Sequence, residues 1–198
     1  MVPDNTMREW ERARFAPPPE GVLNPCEPTQ VVMAPMRDGV TLYTEIFLPT
    51  RTVDQHDSYP VILHRSPYPK ECPSRNNQGS IQRYNEAGYV YAFQLIRGQG
   101  QSEGEFCFFT NEVNDGFDTV NWLAEQPWCN GSVGMEGTSY AGNTQLSAAR
   151  ARPEALKCIM PSAFTENFTR SFPFSGGIPQ RGVLLQWYQL SDATCRAD

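Results

Sequence analysis

The chain has 198 residues, 39% hydrophobic and 19% charged, with a formal net charge of −6. That is enough for one domain with a real core, and the composition is globular rather than disordered. Basic residues form no block, which argues against a nucleic-acid partner, and no run approaches the roughly 18 apolar residues of a membrane span.

The first twenty residues, MVPDNTMREWERARFAPPPE, lack the apolar core of a signal peptide, so a cytoplasmic location is expected. The six cysteines form no CxxC pair and no zinc pattern. They are expected as reduced, partly buried thiols, and no metal or cofactor is called for. Residues 1–29 are Pro-rich and read as an arm, with a short helix at 7–15.

In VVMAPMRDGVTLYTEIFLPT, Leu42, Thr44 and Ile46 share one face of a strand, and Tyr43, Glu45 and Phe47 share the other. Asp38-Gly39 marks a turn, predicting a β-hairpin over 31–48. YPVILHR is a short apolar strand, and the Pro-rich SPYPKECPSRNNQGS after it reads as a long loop. IQRYNEAG predicts a short helix, YVYAFQLI a buried strand and RGQGQSEGEF a glycine-rich loop. DGFDTVNWLAEQ is a helix with Asn114 or Asp115 as its cap and Pro127 as its stop. VGMEG is a strand, YAGNTQLSAARAR a helix ended by Pro153, and LKCIMPSA another strand. This alternation implies a mostly parallel sheet covered by helices and led by an antiparallel hairpin. From Phe164 the rhythm stops, and a helical run follows at 183–190.

GTSYAG, residues 137–142, lies between a predicted strand and a predicted helix. That is the setting of a nucleophile elbow, in which small residues flanking a serine let strand and helix approach closely. Ser139 is the candidate nucleophile. The backbone N–H of Tyr140 is the expected oxyanion donor, and the loop after VILHR offers Tyr68 as a second one. The alternatives are a structural turn at Ser139 and a packed loop aromatic at Tyr68.

Several segments together resemble one family: MRDGVTLYTEIFLP, YPVILHRSPYPK, AGYVYAFQLIRGQGQSEGEF, NDGFDTVNWLAEQPWCNGSVGMEGTSYAG and LKCIMPSA. They are similar, in order and over about 31–165, to the X-Pro dipeptidyl-peptidase / cocaine esterase family of α/β-hydrolases. The resemblance implies an α/β-hydrolase fold, with 1–29 as an arm, 30–165 as the N-terminal part of the hydrolase domain and 166–198 as the start of a helical cap. It implies that Ser139 forms the acyl-enzyme, and that the Tyr68 hydroxyl and the Tyr140 N–H line the oxyanion hole. Trp128, Asp115 and Asp118 match positions read as structural. One departure stands out: the family's D-x-R-G has Leu95 in its first position here, beside Arg97.

The family places its triad acid and histidine after the serine. The histidines of this chain, His56 and His64, both precede Ser139. Asp192 and Asp198 fall in the cap and are poor acids. The chain is therefore expected to be an N-terminal portion of a larger serine hydrolase, weakly active alone, taking a small ester or amide substrate. Its fold is expected to be completed by a second chain or by self-association. X-Pro dipeptidyl-peptidase, β-lactam acylase or α-amino-acid ester hydrolase activity is the alternative within enzymes, and a non-catalytic remnant acting by binding is the alternative outside them. His64 as an improvised base is the remaining option for the missing imidazole.

Overall fold

The structure, a computed structural model, describes residues 27–49, 58–73, 79–165, 167, 174–182 and 184–185. The expected N-terminal helix, His56, Asp192, Asp198 and most of the helical run at 183–190 lie outside these residues.

Six strands form one sheet: β1 (Gln30–Pro35), β2 (Thr41–Phe47), β3 (Tyr59–Ser66), β4 (Val90–Leu95), β5 (Cys129–Thr138) and β6 (Leu156–Ser162), in the order β1-β2-β4-β3-β5-β6. The leading pair is antiparallel, with Pro35 opposite Thr41, and β2 runs antiparallel to β4. From β4 through β3 and β5 to β6 every pairing is parallel. The hairpin turns where the sequence demands it: Gly39 sits at φ +86°, and Asp38 Oδ1 accepts from the Val40 N–H at 3.3 Å.

Among the described residues three helices cover the sheet: α1 (Gly79–Glu86), α2 (Glu112–Ala124) and α3 (Tyr140–Ala151). Alternation along the strands divides the core in two. Val61 and Leu63 of β3, Ala92 of β4 and Met135 of β5 pack with Val120 and Leu123 of α2 and Ala148 of α3. Ile62, Tyr91, Phe93 and Leu95 face the other way, toward Ile81 of α1 and Cys72. Trp128 packs against the first of these clusters, as its structural reading requires. The cysteines at 72, 107, 129 and 158 are free thiols. Among the described residues β1 and β6 are the sheet's edges, and β6 leaves Met160 53% exposed.

The structure corrects three local expectations. The segment after β3 is not all loop, because Pro69–Glu71 makes one 3-10 turn, started by a proline whose fixed φ suits that position. Helix α2 begins earlier than its presumed cap. Asn111 occupies the N-cap position without a side-chain hydrogen bond, and Asn114 and Asp115 lie inside the helix. The Asp115 carboxylate is drawn to Arg97 instead, at 2.7 Å, and Asp118 is drawn to Arg37 at 2.7 Å. Each carboxylate is held by two guanidinium nitrogens in a bidentate, charge-assisted pair. Finally, Phe174–Ser175 and Ile178–Pro179 form a minimal antiparallel pair across Gly176-Gly177, where no strand was expected.

Candidate active site

The site is built around the junction of β5 and α3. Strand β5 ends at Thr138, and α3 starts at Tyr140. Ser139 between them takes φ +61°, ψ −119°, a region that side chains other than glycine rarely enter. The backbone around it is tied on both sides. The Ser139 N–H donates to Ser162 O of β6 at 2.9 Å, and its carbonyl accepts from the Gly142 and Asn143 N–H groups at 2.9 and 3.2 Å. The Asn143 side-chain amide adds a bond to the same carbonyl at 3.2 Å. The Ser139 side chain is exposed and makes no capping hydrogen bond.

Two glycines make this turn possible. A Cβ on Gly137, at φ +142°, would lie 2.5 Å from the Ala141 Cβ. A Cβ on Gly142 would lie 2.8 Å from the Phe164 Cβ and 3.1 Å from Ser162 O. Ala141, where glycine is usual, fits because its methyl fills the space that Gly137 leaves. Gln145 clamps the junction: its Nε2 donates to Gly137 O and Ala141 O at 3.1 and 2.9 Å, and its Oε1 accepts from the Met160 N–H at 2.9 Å.

Tyr68 follows β3, which lies beside β5 with Leu63 opposite Met135. Both chains leave the sheet at its C-terminal edge, the usual place for ligands in parallel sheets. Half-buried Tyr68 is held by the Ser66 hydroxyl, which accepts from its N–H at 3.1 Å and donates to Glu71 Oε2 at 2.6 Å.

The Tyr140 side chain is buried beneath the elbow. Its hydroxyl donates to Glu112 Oε1 at 3.1 Å and accepts from the Phe109 N–H at 3.2 Å, and its ring stacks on Phe109 at 4.4 Å. Burial, and then the Glu112 charge, pushes the phenol far above its ordinary range. Glu112 Oε2 accepts from Arg65 Nη1 at 2.8 Å, and both side chains are buried. Burial pushes the Glu112 carboxyl up, against the pull of Arg65. Arg65 Nε donates to Gln94 Oε1 at 2.8 Å, and the Thr119 hydroxyl donates to that same oxygen at 2.9 Å. Sequence reasoning missed Arg65, Glu112 and Gln145. Their only signal was polarity at strand and helix positions that the fold buries.

The departure at Leu95 has a local explanation. Leu95 is fully buried in the α1-side cluster, and Arg97 takes its carboxylates from Asp115 at 2.7 Å and Asp38 at 2.8 Å. The hydrogen bonds it donates to Asp115 raise the guanidinium above its usual range, burial opposing. Asp115 and Asp118 are thus committed to arginines rather than held out toward Ser139.

The structure does not bring His64 to Ser139. His64 alternates onto the α1 side, where it stacks on Phe93 at 5.4 Å and its Nδ1 meets Glu136 Oε1 at 2.9 Å. Its buried Nε2 has no hydrogen-bond partner among the described residues. The Glu136 carboxylate also accepts from the Tyr91 hydroxyl at 2.8 Å. Burial pushes Glu136 up, but the hydrogen bond and charge of His64 and the bond from Tyr91 outweigh it, so its carboxyl is held below the usual range.

Residues 38–197 match the X-Pro dipeptidyl-peptidase (S15) family. The chain belongs to that family. Among curated relatives it is 38% identical over 162 residues to a cocaine esterase from Rhodococcus sp. (strain MB1 Bresler), covering 80% of this chain and 28% of that protein. Among solved structures, an aminopeptidase from a marine sediment Thaumarchaeota archaeon matches with TM-score 0.71 at 26% identity, over 99% of this chain and 34% of that one. A CocE/NonD family hydrolase from Staphylococcus aureus matches with TM-score 0.72 at 25% identity, over 83% and 33%. The chain therefore spans about 28% of the length of the curated relatives it matches. The fold is that of the α/β-hydrolases, with the mostly parallel sheet and antiparallel leading pair read from the sequence. Among the described residues no helix is long and apolar enough to cross a membrane.

Proposed function

We propose that this chain carries the nucleophile and the oxyanion hole of a serine hydrolase acting on small esters or amides. The observation that carries the reading is the backbone of Ser139, held at φ +61° between β5 and α3. Strain of this kind persists only where the surroundings enforce it, and it lifts a hydroxyl clear of the sheet. Ser139 Oγ attacks the acyl carbon, and its proton passes to a base. The carbonyl oxygen becomes an oxyanion, stabilised by the Tyr140 N–H and the Tyr68 hydroxyl. The C–O or C–N bond then breaks, the leaving group takes the proton, and water later releases the acyl group.

The step needs a base that the described residues do not bring to Ser139, since His64 is bound to Glu136 on the α1 side. The chain alone is therefore a slow catalyst. The test is p-nitrophenyl acetate with the purified chain and its Ser139→Ala variant. Slow turnover that disappears in the variant is expected. Turnover at the rate of an ordinary esterase would overturn the missing base, and turnover unchanged in Ser139→Ala would overturn the nucleophile.

A further inference from the structure

We infer that the buried Arg65–Glu112 pair is a positioning device for the oxyanion hole: Glu112 anchors the Tyr140 side chain, and through it the direction of the Tyr140 backbone N–H, while Arg65 joins that anchor to the β3 end leading into Tyr68. The inference rests on the serine-hydrolase reading above. Three elements converge on one carboxylate. Glu112 stands in the first turn of α2, Arg65 three residues before Tyr68 on β3, and Tyr140 at the first position of α3. Glu112 Oε1 accepts from the Tyr140 hydroxyl at 3.1 Å, and Oε2 accepts from Arg65 Nη1 at 2.8 Å. The Thr144 hydroxyl of α3, which donates to Ala141 O at 3.0 Å, also lies 3.4 Å from Arg65 O. Arg65 is itself fixed through Gln94, whose Nε2 donates to Thr44 Oγ1 at 3.1 Å.

The chemistry argues for direction rather than stability. Arg65 is fully buried and its Nη2 has no hydrogen-bond partner among the described residues. A buried ion pair is often no more stabilising than apolar residues of the same volume. What it supplies, and apolar packing does not, is a fixed orientation for a hydrogen-bonded neighbour. The Tyr140 ring is clamped between Phe109 and this carboxylate, so its Cα cannot rotate without breaking a buried hydrogen bond. The N–H on that Cα is the donor that must be aimed at an oxyanion before the charge develops. Glu112 and Arg65 touch no reacting atom; they act through Tyr140 and the β3 end.

The experiment is labelling of the chain with a fluorophosphonate probe followed by intact mass. The serine oxygen bonds to phosphorus, fluoride leaves, and the hydroxyl proton goes to solvent. A chain lacking its base suits this measurement, because the acceleration that survives loss of a triad member comes largely from the oxyanion hole and binding. Tyr140→Phe keeps the ring and the ion pair and removes only the hydroxyl. It is expected to lower the maximal labelling rate about tenfold, part of what loss of a whole donor costs, with the probe's half-saturating concentration unchanged. That split marks an interaction made in the transition state, not a loosened fold. Glu112→Gln is expected to slow labelling as well, and the double variant to be no slower than the slower single, since both act through one hydroxyl. An unchanged maximal rate in Tyr140→Phe overturns the inference, as do losses that multiply in the double variant. If Glu112→Gln does not fold, Tyr140→Phe decides alone. Absence of labelling at Ser139 in the parent chain overturns the serine reading and this inference with it, whereas labelling that Tyr140→Phe leaves untouched overturns only the latter.

Discussion

Replacing Ser139 by glycine is expected to make the protein more stable than replacing it by alanine, although both remove the hydroxyl. At φ +61°, ψ −119° a residue with a Cβ is strained, at a cost of about 1–3 kcal/mol. The strain cannot relax, because the Ser139 N–H is held by Ser162 O and its carbonyl by three donors from α3. Alanine keeps the Cβ and therefore the strain. Glycine removes it, but loses about 0.5–1 kcal/mol through the greater freedom of its unfolded chain. Midpoint against midpoint, the difference between the variants is then about 1 kcal/mol in favour of Ser139→Gly. At about 2–4 °C per kcal/mol for a chain of this size, the melting temperatures separate by a few degrees. Urea denaturation followed by circular dichroism, with equal m-values, gives the free-energy difference directly. If Ser139→Gly is equal to Ser139→Ala or less stable, Ser139 is not strained and the elbow reading loses its main support.

Further outcomes follow from the same geometry. Gly137→Ala adds positive-φ strain and a 2.5 Å clash with the Ala141 Cβ. We expect a loss of about 2–5 kcal/mol from the two effects, partly restored by Ala141→Gly, which a thermal melt would register. Arg65→Met leaves Glu112 buried without its ion partner and is expected to cost about 3–5 kcal/mol. Adding Glu112→Leu should recover much of that stability while labelling of Ser139 stays slow; full recovery of labelling would contradict the positioning role. Glu136 has a native carboxyl held below its unfolded range, so its contribution is present above the unfolded value and is lost as pH falls through the native one. Glu136→Gln should therefore flatten the decline of stability below about pH 4.5, measured by urea midpoints across that range. An equally steep decline in the variant would show that the His64–Glu136–Tyr91 cluster does not set the acid limit.

What the sequence disclosed and what it hid divide by distance along the chain. The leading hairpin was legible because Asp38-Gly39 sits between two alternating runs, and one glycine at φ +86° is all that turn requires. The elbow was legible for the same reason: its tightest constraint acts between Gly137 and Ala141, four positions apart. Glu112 was invisible because its partners lie 47 and 28 positions away. The start of α2 was misread because Asn114 and Asp115 look like caps until Arg97, 18 positions from Asp115, competes for the carboxylate. The Leu95 departure was visible in the sequence, but only the fold reveals that Asp38, 59 positions from Arg97, lies beside it.

A single step along β3 separates the residues that serve the elbow from the histidine that does not. Arg65 points to the face of α2 and α3, where it reaches Glu112 and, through it, Tyr140. His64, one residue earlier, points to the face of α1 and is bound to Glu136 there. Shifting β3 by one residue would exchange the two, since side chains alternate strictly across a sheet. That exchange is forbidden by the core, because Val61 and Leu63 would then leave the α2–α3 cluster and Ile62 would leave the α1 side. The hydrophobic pattern of YPVILHR therefore decides the electrostatics of the site as well as the packing. It fixes the guanidinium against Glu112, which holds the Tyr140 hydroxyl, and keeps the imidazole on the α1 face against Glu136. Recruiting His64 as a base would require an outward turn of its ring that breaks both the Glu136 contact and the stacking on Phe93. A base approaching from beyond the sheet edge disturbs neither, which is why the proposed mechanism takes its base from outside the described residues.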